Sequence, residues 1–115
     1  MTPPKVSLEA LTASDRQALD SLMVQLRKLY AERLKQVILY GHKSRGERGS
    51  DLDILVVVDG ITDRFIEMSR IHRITGPITV DEDILITAIP VDAAYLEQHR
   101  ETSFFAAILQ DGISL

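Results

Sequence analysis

A small mixed α/β sheet with helices packed on one face is the fold this sequence predicts. Three observations lead there. Apolar spacing alternates between helical and strand-like in the order helix, strand, strand, helix, strand, helix, helix. Only about ten residues separate the first two strands, too few for a parallel crossover helix, so these strands are expected side by side and antiparallel. The 115 residues are 45% hydrophobic and 26% charged, an ordinary globular balance, and one domain is expected over 1–115 with a short lead-in over 1–13.

Pro3 and Pro4 discourage early structure in that lead-in. Ser14 and Gln17 have capping-box spacing and are expected to open the first helix. Leu19, Leu22, Leu26 and Leu29 recur at steps of three and four, with Met23 and Tyr30 beside them, which predicts an apolar stripe running to about Leu34. Val37 to Tyr40 is a short apolar run ended by Gly41, and reads as a buried strand. A polar loop with three glycines follows over 41–50, and a second strand runs from Asp51 to Val58. Asp59-Gly60 ends that strand with a turn signal. Thr62 or Asp63 can cap a helix over 63–75, with Phe65, Met68, Ile71 and Ile74 on one side and Gly76-Pro77 as its stop. A third strand is expected from Asp83 to Ile89, ended by Pro90. Residues 92–99 and 102–110 complete the chain as two short helices, the second closed by Asp111-Gly112.

Composition excludes several function classes. There is no cysteine, which removes disulfides, thiolate catalysis and cysteine-ligated metals. The formal net charge of -4 disfavours broad electrostatic binding to duplex DNA. No apolar run approaches a membrane span, and the N-terminal stretch lacks a signal-peptide core, so a cytoplasmic location is expected. Aromatic residues make up only 5%, which argues against a single-strand binder built on stacked rings. His72 and His99 read as helix-surface histidines, and Phe104-Phe105 reads as core.

One stretch carries chemistry. Asp51 and Asp53 stand two apart at a strand entrance, so both carboxylates point to the same face. Two like charges held that close call for a cation between them, and Mg²⁺ takes carboxylate and phosphate oxygens. Upstream, Gly41 permits close backbone approach at a strand end. Exposed N–H groups in a glycine-bearing turn make an anion nest, and Lys43, Arg45 and Arg48 add positive charge to the same loop. A phosphate cradle and a carboxylate pair therefore flank one short loop.

The string Gly41-His42-Lys43-Ser44-Arg45-Gly46, continued by Ser50-Asp51-Leu52-Asp53, resembles the G-S-x-A-R-G…S-D-x-D signature of the minimal nucleotidyltransferases, within the DNA polymerase β-like nucleotidyltransferase superfamily. The motif covers Val37 to Val58, and the elements around it match in order over about 14–112. His42 stands at the family's serine position and Ser44 at its alanine position. The resemblance implies the polymerase β-like fold, with Gly41, His42, Lys43, Ser44, Arg45, Gly46 and Ser50 around the triphosphate of ATP or another NTP. It also implies a two-ion Mg²⁺ site on Asp51, Asp53 and a third carboxylate on the next strand. Asp83 is the candidate for that carboxylate and for catalysis, with Asp81 as the alternative. The implied reaction moves AMP from ATP to an acceptor. The implied partner is a helical toxin of the HEPN type, modified on a tyrosine, or a second copy of the chain in a homo-oligomer. The alternative is a nucleotide- and partner-binding module in which catalysis is weak or lost.

Overall fold

The computed structural model describes residues 11–41 and 51–115. Helix α1 spans Ala13–Tyr30 and is capped by Thr12, not Ser14. Thr12 Oγ1 accepts from the Asp15 N–H and Asp15 Oδ2 accepts from the Thr12 N–H, both at 3.0 Å, so the capping box sits two residues before the expected one. Its buried stripe is Ala18, Leu19, Leu22, Leu26 and Tyr30, while Leu29 is 40% exposed. The helix ends at Tyr30, short of Leu34, because a single 3₁₀ turn over Ala31–Arg33 leads directly into strand β1, Leu34–Tyr40.

Strand β2 is Asp51–Val58, as its apolar run predicts, and pairs antiparallel with β1. Helix α2, Arg64–Glu82, is capped by Asp63 and runs straight through Gly76 and Pro77. A proline inside a helix frees the carbonyl four residues back, and both Pro77 and Arg73 face solvent, where water can serve that carbonyl. The buried face is Glu67, Ile71, Thr75 and Ile78; Phe65 is 83% exposed, so the expected stripe through Phe65 and Met68 is offset from the true one. Strand β3, Leu85–Asp92, lies parallel to β2. It continues through Pro90, which is tolerated because β3 is an edge strand. Helices α3, Ala93–His99, and α4, Ser103–Asp111, follow the expected bounds within a residue. A two-residue strand β4, Ile113–Ser114, adds to the other side of β1 and gives the sheet order β3-β2-β1-β4.

The sheet is therefore mixed, as predicted, and the long helices α1 and α2 share one face. Leu52, Ile54, Val56 and Val58 pack there against Leu22, Leu26 and Ile71. The expectation of helices on one face is corrected for the short pair. Leu96 of α3 and Ile108 of α4 join Ile38, Leu55 and Val57 in a second cluster on the opposite face. Strand β2 is apolar at almost every position after Asp53, as a strand covered on both sides must be.

A polar contact ties α1 to α2. Tyr30 donates its hydroxyl to Glu67 Oε2 at 2.7 Å, and Arg70 pairs with Glu67 Oε1 at 2.9 Å. Burial, and then the Glu67 carboxylate, push the Tyr30 hydroxyl well above the usual tyrosine range. Tyr30→Phe leaves the buried Glu67 short of a donor, and an unmade bond to a buried group costs about 1–3 kcal/mol. The urea midpoint should fall accordingly, with little change in the slope.

Asp92 is the second polar anchor. Its Oδ1 accepts from the Gly60 and Ile61 N–H groups at 3.0 Å each, and its Oδ2 accepts from Tyr95 N–H at 3.3 Å. The Ile61 bond, helped by Tyr95, Gly60 and Ala94 and opposed by partial burial, holds the Asp92 carboxyl below the usual carboxylate range. A carboxyl depressed in the folded state stabilises fully above its unfolded pKa and loses that contribution as pH falls through the folded value. Below about pH 4, wild-type stability should therefore drop more steeply than that of Asp92→Asn in urea titrations at each pH.

Candidate active site

The carboxylate pair is set by strand alternation. Leu52 and Ile54 point into the α1–α2 core, so Asp51 and Asp53 share the other face with Leu55 and Val57. Asp51 is exposed and Asp53 half-buried. Beyond them α3 and α4 cover that face over Leu55 and Val57.

Gly41 follows β1 with φ of +75°, a conformation that strains any residue with a side chain. The site adds a second reason for glycine. A Cβ at Gly41 would overlap the Asp53 carboxylate, whose Cγ would lie only 3.3 Å away. The backbone at the start of the predicted phosphate loop thus passes directly against a carboxylate of the pair.

Tyr40 is in register with Asp53 across β1 and β2 and lies on the same face. Burial, and then the negative charge of Asp53, raise the Tyr40 hydroxyl above its ordinary value. Its ring meets Phe104 of α4 edge-to-face at 6.1 Å. The motif did not single out Tyr40; its place one residue before Gly41 on a paired strand was the available signal.

The neighbouring strand presents no carboxylate beside the pair. In the parallel register Leu85 lies opposite Asp51 and Thr87 opposite Asp53, both exposed on the aspartate face. Ile84 and Ile86 are buried on the helix side, as the alternation predicts. Asp83, however, precedes β3. It caps α2 in the left-handed conformation with φ of 52°, because α2 runs seven residues past the expected stop and takes Asp81 with it. No cluster of three or more metal-ligating side chains occurs among the described residues. His42, Lys43, Ser44, Arg45, Gly46, Arg48 and Ser50 lie outside the described residues. His72 is exposed, and His99 is stacked on Tyr95 at 4.0 Å and bonded through Nδ1 to the Tyr95 carbonyl oxygen, as helix-surface histidines.

The donor set fits one hard cation shared with phosphate. Asp51 and Asp53 offer oxygens from one face, and Mg²⁺ is typically held by one or two carboxylates with substrate phosphates completing the shell. The Gly41 backbone approaches the Asp53 carboxylate so closely that only glycine fits there. A second ion would need a further ligand, and Thr87 and Leu85 occupy the positions opposite the pair.

The four-stranded mixed sheet, in the order β3-β2-β1-β4, thus carries the carboxylate pair on one face with the Gly41 turn beside it. A solved crystal structure of the toxin–antitoxin MntA-HpeT, in mutant form, is similar to this chain with a TM-score of 0.54 at 17% identity, over 84% of this chain and 70% of that one. The likeness shows a shared fold. No protein-family model and no curated protein matches the sequence. No helix among the described residues is long and apolar enough to cross a membrane.

Proposed function

We propose that this chain is the nucleotidyltransferase member of a toxin–antitoxin pair, taking Mg²⁺-ATP at Asp51, Asp53 and the Gly41 loop and passing AMP to a tyrosine of a helical HEPN-type toxin. The single observation that carries the reading is the aspartate pair held on one face against the Gly41 backbone. The likeness to a toxin–antitoxin structure supports the kind of partner.

In this reading Asp51 and Asp53 hold the cation, and the loop that starts at Gly41 receives the triphosphate. When bound, Mg²⁺ neutralises charge on the phosphates and on the leaving group. The acceptor oxygen forms a bond to the α-phosphorus, the bond from the α-phosphorus to the bridging oxygen breaks, and pyrophosphate leaves. The acceptor proton passes to water or to a carboxylate of the pair. Helices α3 and α4 pack over Leu55 and Val57, further along the strand than the exposed Asp51, so a partner's side chain would approach at the Asp51 end.

A second reading keeps the nucleotide and drops the transfer. It is favoured by Asp83 standing at the α2 cap and Thr87 standing opposite Asp53. Labelled ATP decides between the two. Purified protein is incubated with Mg²⁺ and α-labelled ATP, alone and with its co-expressed partner. Transfer predicts a covalent AMP label on a partner tyrosine that is lost in Asp51→Asn. Stabilisation by Mg²⁺-ATP without any label supports the binding module, and neither effect overturns both.

A further inference from the structure

Phe104 and Tyr95 do not behave as core. They are 50% and 51% exposed, against the expectation for Phe104-Phe105, of which only Phe105 packs with the second cluster. Both rings line a cavity of about 550 Å³, with Phe105, Ile89 and Val91 as further walls. It is bounded by the edge strand β3, the turn after β2 and the starts of α3 and α4, so it is a concavity with several walls and not a flat face.

This cavity belongs to the aspartate face. Ile89 is in register with Leu55, the next residue after Asp53 on that face, and two strand residues span about 6.6 Å. Phe104 also touches the ring of Tyr40, itself opposite Asp53, so a run of aromatic surface connects the carboxylates to the cavity. Two other surface cavities lie against α1 and α2 residues, away from the pair.

We infer that this aromatic cavity is the subsite for the base of the nucleotide, a planar heterocycle such as a purine; the inference rests on the nucleotide reading above. Exposed aromatic faces in a concave site recover contact when a flat ring stacks on them, and stacking tolerates any base because every base has a π-face. The volume lies within the range of small-ligand pockets. Arg64 and Thr62 at its rim supply polar groups for the edge of the ring. A nucleotide with its phosphates at Asp51 and Asp53 then passes Thr87 and Ile89 of the edge strand β3 to bring its base to Phe104.

The test compares ATP with inorganic tripolyphosphate, which has the phosphates and no base. Binding of each, with Mg²⁺, is measured by calorimetry for wild type, Phe104→Ala, Phe104→Leu and Tyr95→Leu; the leucine variants keep apolar volume and remove only the ring. Wild type should bind ATP more tightly than tripolyphosphate. Phe104→Ala should weaken ATP roughly tenfold or more and leave tripolyphosphate unchanged, with the leucine variants in the same direction. Unchanged ATP affinity in all three variants overturns the subsite while leaving the nucleotide reading intact. Failure of wild type to bind either ligand overturns both together.

Discussion

Replacing Asp51 and Asp53 together by asparagine should remove all stabilisation by Mg²⁺-ATP. A ligand at ~100 times its dissociation constant adds about 2.7 kcal/mol to the folded state. For a domain of this size that corresponds to a rise of roughly 10 °C in melting temperature. Asparagine keeps the size of aspartate, replaces one acceptor oxygen by an NH2 donor, and removes the two negative charges that would hold the cation. Asp51 is exposed and Asp53 half-buried, and comparing the two proteins without ligand separates any change in the fold itself from loss of the ligand shift. Thermal unfolding of wild type and double variant, each with and without millimolar Mg²⁺-ATP, reads both effects. A full shift that survives in the double variant would show that the nucleotide binds elsewhere.

Strand β2 was fully legible because its signal is redundant: an unbroken apolar run, a polar start and a turn dipeptide at its end. The antiparallel pairing of β1 and β2 followed from loop length. Helix α2 was legible only in part. Two of its buried positions are Glu67 and Thr75, polar residues that erase the apolar period, while Phe65 and Val80 are exposed and suggest a false face. Gly76-Pro77 reads as a stop, yet tertiary packing of Ile78 carries the helix past it. That single misreading moved the start of β3 by two residues and placed Asp83 on a strand. Strand β4 has two residues and owes its existence to pairing with β1, which no local pattern encodes. The carboxylate pair was readable from spacing; the register that sets Thr87 opposite Asp53 was not, since parallel pairing is fixed by contacts distant in sequence.

Thr87 gives the two functional readings a structural address. It stands on the strand next to Asp53, on the same face, and is exposed. A hydroxyl at that position brings no charge to a cation. Under the proposed function, Asp51 and Asp53 would then be the anionic ligands offered to a bound cation from these two strands.

The largest effect of a single substitution is expected at Gly41→Ala. Two costs add there. With φ of +75° the backbone is in the left-handed region, where a Cβ costs about 1–2 kcal/mol. The new methyl also overlaps the Asp53 carboxylate, so either the loop start or the Asp53 side chain must move. Gly60→Ala separates the two terms. Gly60 has nearly the same conformation, with φ of +78°, but no atom lies within 4 Å of a Cβ added there. Gly60→Ala should therefore show the backbone cost and keep the full Mg²⁺-ATP shift. Gly41→Ala should lose more stability and the ATP shift as well. Adding Asp53→Ala to Gly41→Ala removes the overlapping carboxylate and should recover stability towards that of Gly60→Ala, without recovering nucleotide binding. Equal behaviour of Gly41→Ala and Gly60→Ala in both measurements would mean that the close approach of Gly41 to Asp53 plays no part in the site.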